Sequence, residues 1–172
     1  MSKECIVLIG MAGSGKSITG AALAAALGYQ FTDLDQYIMQ QEKQSVNEII
    51  NMRGEQALLR LEETRMHEID LYRRVIAPGG SIIYQTRLME YLKQSCILIY
   101  LNVSYQRIEQ RLKDASLRGI VGLRDRKLHE IYKERQPLYA RFADITICPE
   151  DKSVHEVVNE ILKCLHYNSC SK

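Results

Sequence analysis

Eight consecutive residues, Gly10-Met11-Ala12-Gly13-Ser14-Gly15-Lys16-Ser17, fit the pattern G-x-x-x-x-G-K-[ST] without a mismatch. The chemistry of such a stretch is phosphate binding. Its glycines let the backbone curl until successive N–H groups point inward at phosphate oxygens, and a following helix adds the partial positive charge of its N-terminus. In this pattern Lys16 reaches the β- and γ-phosphates and the Ser17 hydroxyl ligates Mg²⁺. The expected nucleotide-binding residues are therefore Gly13, Ser14, Gly15, Lys16, Ser17 and Ile18. The plainer alternative is a glycine-rich turn with no ligand. The flanks favour the ligand: Cys5–Ile9 is an apolar, strand-sized run, and Ile18–Leu27 is alanine-rich with good helix propensity.

Phosphoryl transfer also needs a metal, cations on developing charge, and a group that holds the acceptor hydroxyl in line. Asp33 and Asp35 are two apart, so in an extended segment they share a face. One can serve the Mg²⁺ shell while the other accepts a hydrogen bond from the attacking hydroxyl. Taken alone, Asp-x-Asp more commonly means a solvated turn with an N-capping aspartate. Arg118, in a segment of glycines and charges, is a candidate to close over the phosphates, although a lone loop arginine is usually just solvated. Arg135 precedes Gln136-Pro137-Leu138-Tyr139 and is either an acid-binding group or a surface residue; spacing does not decide between them.

The elements that must position these groups alternate. After the first helix, Gly28 is a C-cap and Gln30–Thr32 a short second strand that delivers the aspartates. Ser45-Val46-Asn47-Glu48 is a capping box, and Glu55–Tyr72 a long amphipathic helix. Arg74–Ala77 is a third strand, stopped by Pro78-Gly79-Gly80-Ser81. A helix over about 85–93 leads to a fourth strand, Cys96–Val103, then a helix over Tyr105–Lys113. Asp114–Arg126 reads as a mobile loop. Lys127–Phe142 is helical with a kink or break expected near Gln136, because Pro137 lacks an N–H. Ala143–Cys148 is a fifth strand, and Ser153–Glu156 caps a final helix to about Leu165, with 168–172 frayed. Strands alternating with helices imply a parallel sheet covered on both faces, with the ligand site at the strands' carboxyl ends. Each suspect motif follows a strand, so all should meet on one rim.

At 172 residues, one domain is expected over 1–172, with 46% hydrophobic and 26% charged residues, ordinary for a globular protein. A net charge of +2 argues against nucleic acid or an anionic membrane as partner. No apolar run is long enough to span a bilayer, and with the first strand expected directly after Met-Ser-Lys-Glu no signal peptide is expected. The five cysteines (Cys5, Cys96, Cys148, Cys164, Cys170) are scattered, without C-x-x-C spacing, which favours free thiols in a cytoplasmic protein. His67, His129, His155 and His166 have no ligand spacing and read as surface residues.

Taken together, these motifs resemble the shikimate kinase family over nearly the whole chain. The resemblance implies an α/β, three-layer P-loop kinase fold with a five-stranded parallel sheet of order 2-3-1-4-5 and helices on both faces. It implies substrate-binding helices at about 34–72 and a mobile lid at about 114–126. Phe31, Asp33 and Asp35 match a motif whose first aspartate belongs to the magnesium environment and whose second holds substrate hydroxyls. Gly54-Glu55 and Glu62 match a Gly-Glu followed by an acid-rich helix. Gly79 and Gly80 match a glycine triplet with backbone donors for substrate. Arg118 fits the nucleotide-contacting lid arginine, Arg111 stands the expected distance before it, and Arg135 matches the arginine that binds the substrate carboxylate. The implied catalytic set is Lys16, Asp35 and Arg118; the implied metal set, Ser17 and Asp33. ATP and Mg²⁺ are the implied cofactors, a monomer the implied state, and aromatic amino acid biosynthesis the implied setting.

The departures lie at the acceptor. Where the family has Phe-Arg, whose arginine grips the shikimate carboxylate, this chain has Leu58-Leu59. Arg60 is one residue on, turned about 100° around a helix. Ser81 replaces the third glycine, and Gly119-Ile120-Val121 replaces a Pro-Leu-Leu after the lid arginine. A charge-assisted hydrogen bond contributes about 1.5–3 kcal/mol and a bidentate arginine makes two, so losing one such pair weakens binding on the order of 100-fold or more. The reading is an ATP-dependent kinase of a small hydroxy acid, shikimate first, with a sugar acid or hydroxy amino acid as the alternative acceptor. A nucleotide-binding module without turnover conflicts with the intact Lys16, Ser17 and aspartates. A nucleic-acid NTPase conflicts with the near-neutral charge.

Overall fold

The structure is a computed structural model that describes residues 3–114 and 119–170. Among these residues, β1 (Cys5–Ile9), β2 (Gln30–Asp33), β3 (Arg74–Ala77), β4 (Ile97–Leu101) and β5 (Ile145–Ile147) form one sheet of order β2-β3-β1-β4-β5. Every pairing is parallel, with Ile6 opposite both Val75 and Ile97.

Side chains alternate along each strand, so each strand feeds two cores. Ile6 and Leu8 of β1 and Ile99 of β4 pack with Leu23 of α1 (Lys16–Leu27) and Ile161 of α8 (Val154–Cys170). Val7, Ile9, Ile76 and Leu98 face the opposite layer. That layer contains α2 (Leu34–Glu42), α3 (Val46–Arg53), α4 (Glu55–Glu68), α5 (Thr86–Ser95), α6 (Tyr105–Asp114) and α7 (Leu128–Phe142). Burial on both faces is why β1 and β4 read as unbroken apolar runs.

Several boundaries differ from the sequence expectation. Helix α4 stops at Glu68, four residues before Tyr72, because the Tyr72 N–H donates to Asp70 Oδ1 at 3.0 Å and Arg73 turns to φ 46°. A 3₁₀ turn over Gly80–Tyr84 had no sequence signal, being too short to show a period. Helix α7 runs unbroken through Pro137, held on either side by buried Tyr132, Arg135, Tyr139 and Phe142. The capping boxes at Ser45 and Ser153 form as read. Helix α8 extends to Cys170, beyond the expected Leu165, and all four histidines are exposed. Among the described residues, no helix is long and apolar enough to cross a membrane.

Candidate active site

The loop after β1 is curled by glycines with positive φ, 78° at Gly13 and 93° at Gly15, where a side chain would be strained. Helix α1 starts directly after Gly15 with no side-chain cap, which leaves its first N–H groups to an incoming ligand. Ser14 Oγ is buried without a hydrogen-bond partner. Lys16 Nζ donates to the carbonyl oxygens of Gly10 and Met11, each at 2.9 Å. Burial pulls Lys16 down to about 8, and the Asp35 carboxylate opposes the shift. A loop that buries a cation, orphans a hydroxyl and leaves helix amides uncapped is built for an anion.

Ser17 donates to Asp33 Oδ2 at 2.5 Å, and Asp33 Oδ1 caps α2 by accepting from the Gln36 N–H at 3.1 Å. The capping and site readings of Asp33 are thus compatible. The two aspartates do not share a strand face, as an extended segment would give. Asp33 ends β2 and Asp35 lies in the first turn of α2, so the bend at the strand end brings both to one cavity. Burial first, then the charge of Asp33, pushes Asp35 up to about 6, with Lys16 opposing.

After β3, the backbone at Gly79 and Gly80 passes between side chains. A Cβ on Gly79 would collide with Glu62 Oε1 and stand 3.1 Å from Asp35 Oδ1. A Cβ on Gly80 would stand 3.2 Å from both Arg135 Nη1 and Gly10 O. Arg135 is 1% exposed, which decides between the two sequence readings: it is no surface residue. Its Nη2 donates to Val121 O at 2.8 Å, its Nε donates to Tyr84 Oη at 3.1 Å, and its guanidinium lies over the Tyr84 ring. Among the described residues it forms no ion pair.

Sequence reasoning did not single out Glu62 as a site residue, nor Ser81 or Tyr84. Glu62 follows Leu58 by one helical turn, and both are buried and line the cavity. The Ser81 hydroxyl donates to both Glu62 oxygens, at 2.9 and 3.1 Å, and Gln85 Nε2 donates to Oε2 at 3.2 Å. The visible signals were the serine in place of a third glycine and the match of Glu62 to the family's acid-rich helix.

A cavity of about 570 Å³ gathers the expected groups. It is lined by Gly13, Ser14, Gly15, Lys16, Ser17 and Ile18 from the loop and α1, together with Asp33, Asp35, Gly79, Gly80, Arg111 and Arg135. Arg111 Nη1 donates to Gly13 O at 2.8 Å, beside the phosphate loop. Arg118 lies outside the described residues. Leu59 and Arg60 are absent from the lining; Arg60 is exposed and donates to Gln56 O on its own helix, so it does not stand in for the missing arginine.

The comparisons with known proteins agree with this geometry. The shikimate kinase family model matches residues 12–166. A shikimate kinase of Persephonella marina is 34% identical over 159 residues, 91% of this chain and 96% of the relative. One from Chlorobium chlorochromatii is 32% identical over 176 residues, 95% of this chain and 92% of the relative. The solved shikimate kinase of Acinetobacter baumannii in complex with shikimate superposes with a TM-score of 0.82 at 28% identity, covering 95% of this chain and 93% of that one. With a match that spans the phosphate loop, the aspartate corner and the Arg135 helix, this chain belongs to the shikimate kinase family of small-molecule kinases.

Proposed function

We propose that the chain transfers the terminal phosphoryl group of ATP to a hydroxyl of a small hydroxy acid, and that shikimate is the first acceptor to test. The observation that carries this reading is Arg135, a buried guanidinium on the cavity wall with no carboxylate paired to it among the described residues. An unpaired buried charge is costly, and an acceptor carboxylate would offset that cost. Lys16 and the uncapped start of α1 bind the triphosphate, and Arg111 stands beside it. Arg118, within the 114–126 lid, closes over the phosphates. Asp35 accepts the hydrogen bond of the attacking hydroxyl and aims its oxygen, while backbone at Gly79 and Gly80 supports the acceptor.

Ser17 and Asp33 would hold Mg²⁺. The fit is supported by their contact at 2.5 Å and by an all-oxygen donor set suited to a hard cation. Among the described residues there is no cluster of three His, Cys, Asp or Glu side chains arranged for a metal, so these two side chains would be the protein's share of the donors. When bound, the cation neutralises charge on the phosphates.

The test is ADP release with shikimate and with a panel of sugar acids and hydroxy amino acids, with and without Mg²⁺. Shikimate-dependent, Mg²⁺-dependent release is expected. Release with another acid and none with shikimate moves the assignment to that acceptor; release with no acid overturns it.

A further inference from the structure

A single peptide group lies between two charged side chains. The unit joining Val121 to Gly122 offers its C=O to Arg135 Nη2 at 2.8 Å and its N–H to Glu55 Oε1 at 2.6 Å. The cation sits at the negative end of the amide dipole and the carboxylate at the positive end, so each contact polarises the peptide in the sense that strengthens the other. At Gly122 the chain turns through φ 87°, a value that glycine adopts without strain. Glu55 opens α4 and is half-buried, and it is absent from the lining of the active-site cavity. Among the described residues it forms no ion pair. Its route to the acceptor is through this peptide.

We infer that Glu55 is a positioning residue for Arg135: gripping the Val121–Gly122 peptide from the far side, it fixes the plane of the guanidinium before the acceptor carboxylate arrives. This rests on the proposed kinase reading and deepens it. A guanidinium is rigid and planar, so two anchored nitrogens set the direction of the rest. Nε is anchored at Tyr84 Oη and Nη2 at Val121 O, which leaves Nη1 beside Gly80 on the cavity wall. The second anchor is only as fixed as the peptide that carries it, and Glu55 holds that peptide's N–H. From α4 the cavity receives Leu58 and Glu62 but no cation, so carboxylate binding depends on how Arg135 is aimed. Aiming it in advance removes an ordering cost from acceptor binding. An acid in the first turn of α4 also suits the helix dipole, but that role by itself would not reach Arg135.

The experiment measures ADP release with the acid that wild type phosphorylates, shikimate first, in Glu55→Ala, Glu55→Gln, Arg135→Lys and the double variant Glu55→Ala/Arg135→Lys. Glu55→Ala is expected to raise acceptor KM about tenfold, with kcat and ATP KM within about twofold of wild type. Glu55→Gln keeps an oxygen for the Gly122 N–H and should bring acceptor KM back to within about threefold. With Arg135→Lys there is no fork left to aim, so adding Glu55→Ala should change acceptor KM less than about twofold. A full tenfold rise in that background, or a fall in kcat with acceptor KM unchanged, reduces Glu55 to holding its helix and overturns the inference. Gly122→Ala disturbs the same peptide without touching α4. Its Cβ would meet Ile131 at 3.6 Å, an ordinary contact, but the positive φ strains the turn, and acceptor KM should rise as in Glu55→Ala. Asn51→Ala cuts a different tie, the one to Arg124, and should leave acceptor KM within about twofold; an equal rise there also overturns the inference. Unchanged acceptor KM in folded Glu55→Ala and Gly122→Ala overturns this inference alone. ADP release by wild type that no acid stimulates overturns it together with the kinase reading.

Discussion

Arg135 donates from Nη2 to the carbonyl oxygen of Val121 at 2.8 Å, which ties a guanidinium lining the cavity to the 119–126 segment. The same segment is pinned elsewhere by the Gly122 N–H donating to Glu55 Oε1 at 2.6 Å. An anion arriving at Arg135 must share these donors. Arg135→Lys keeps the charge and loses the fork, removing one or two charge-assisted bonds of about 1.5–3 kcal/mol each. Acceptor KM is expected to rise about 10- to 100-fold with ATP KM little changed. Unchanged acceptor KM would place the acid elsewhere.

Ser17 donates to Asp33 Oδ2 at 2.5 Å, and the proposed reading puts both on one cation site. Ser17→Ala and Asp33→Asn are each expected to raise the Mg²⁺ concentration for half-maximal activity at least tenfold. Because the pair is coupled, the double variant should fall short of the sum of the two free-energy changes. Titration of activity against Mg²⁺ reads this directly, and full additivity would separate the two roles.

Asp35→Asn retains shape and loses the charge that the proposed function uses to orient the acceptor hydroxyl. Transfer is expected to fall on the order of 10²–10³-fold, while ATP binding measured by calorimetry stays near wild type. In the wild type, kcat/KM should decline as pH falls through about 6, since protonation removes the acceptor for the hydroxyl's hydrogen bond. A flat acid limb would take Asp35 out of this role.

Glu62 is raised from its ordinary 4.5 to about 8 by burial. Between these values the folded chain holds a proton that the unfolded chain releases, so stability contributed by this proton is lost as pH rises from about 4.5 to about 8. The slope is at most about 1.4 kcal/mol per pH unit. Glu62→Gln, which cannot ionise, is expected to flatten that part of the stability profile. Urea midpoints at pH 5 and 8 measure it, and an identical drop in both proteins would assign the effect to other groups.

Gly20, on the buried face of α1, shows where packing outweighs propensity. A Cβ there would stand 2.5 Å from Phe31 Cε2, a ring held against the sheet edge. Gly20→Val is expected to destabilise by about 2 kcal/mol through overpacking, read from denaturant unfolding. No loss would mean that Phe31 moves freely.

The phosphate loop, the strand that feeds it and the capping boxes at Ser45 and Ser153 were legible in the residues themselves. Their contacts span a few positions, so local spacing encodes them. The strand order and the family's site residues came from the resemblance of whole motifs. What tertiary structure alone decided lies at long separation. Arg135 was open between surface and site until Tyr84, 51 positions away, and Val121, 14 away, were seen to enclose it. Glu62 was one acid in a helix of acids until Ser81, 19 positions on, closed over its carboxyl. The amino-acid order determines which groups are present and which turns deliver them. Which charge ends up buried without a partner depends on how helices from distant parts of the chain pack over one rim, because desolvation belongs to the assembled cavity.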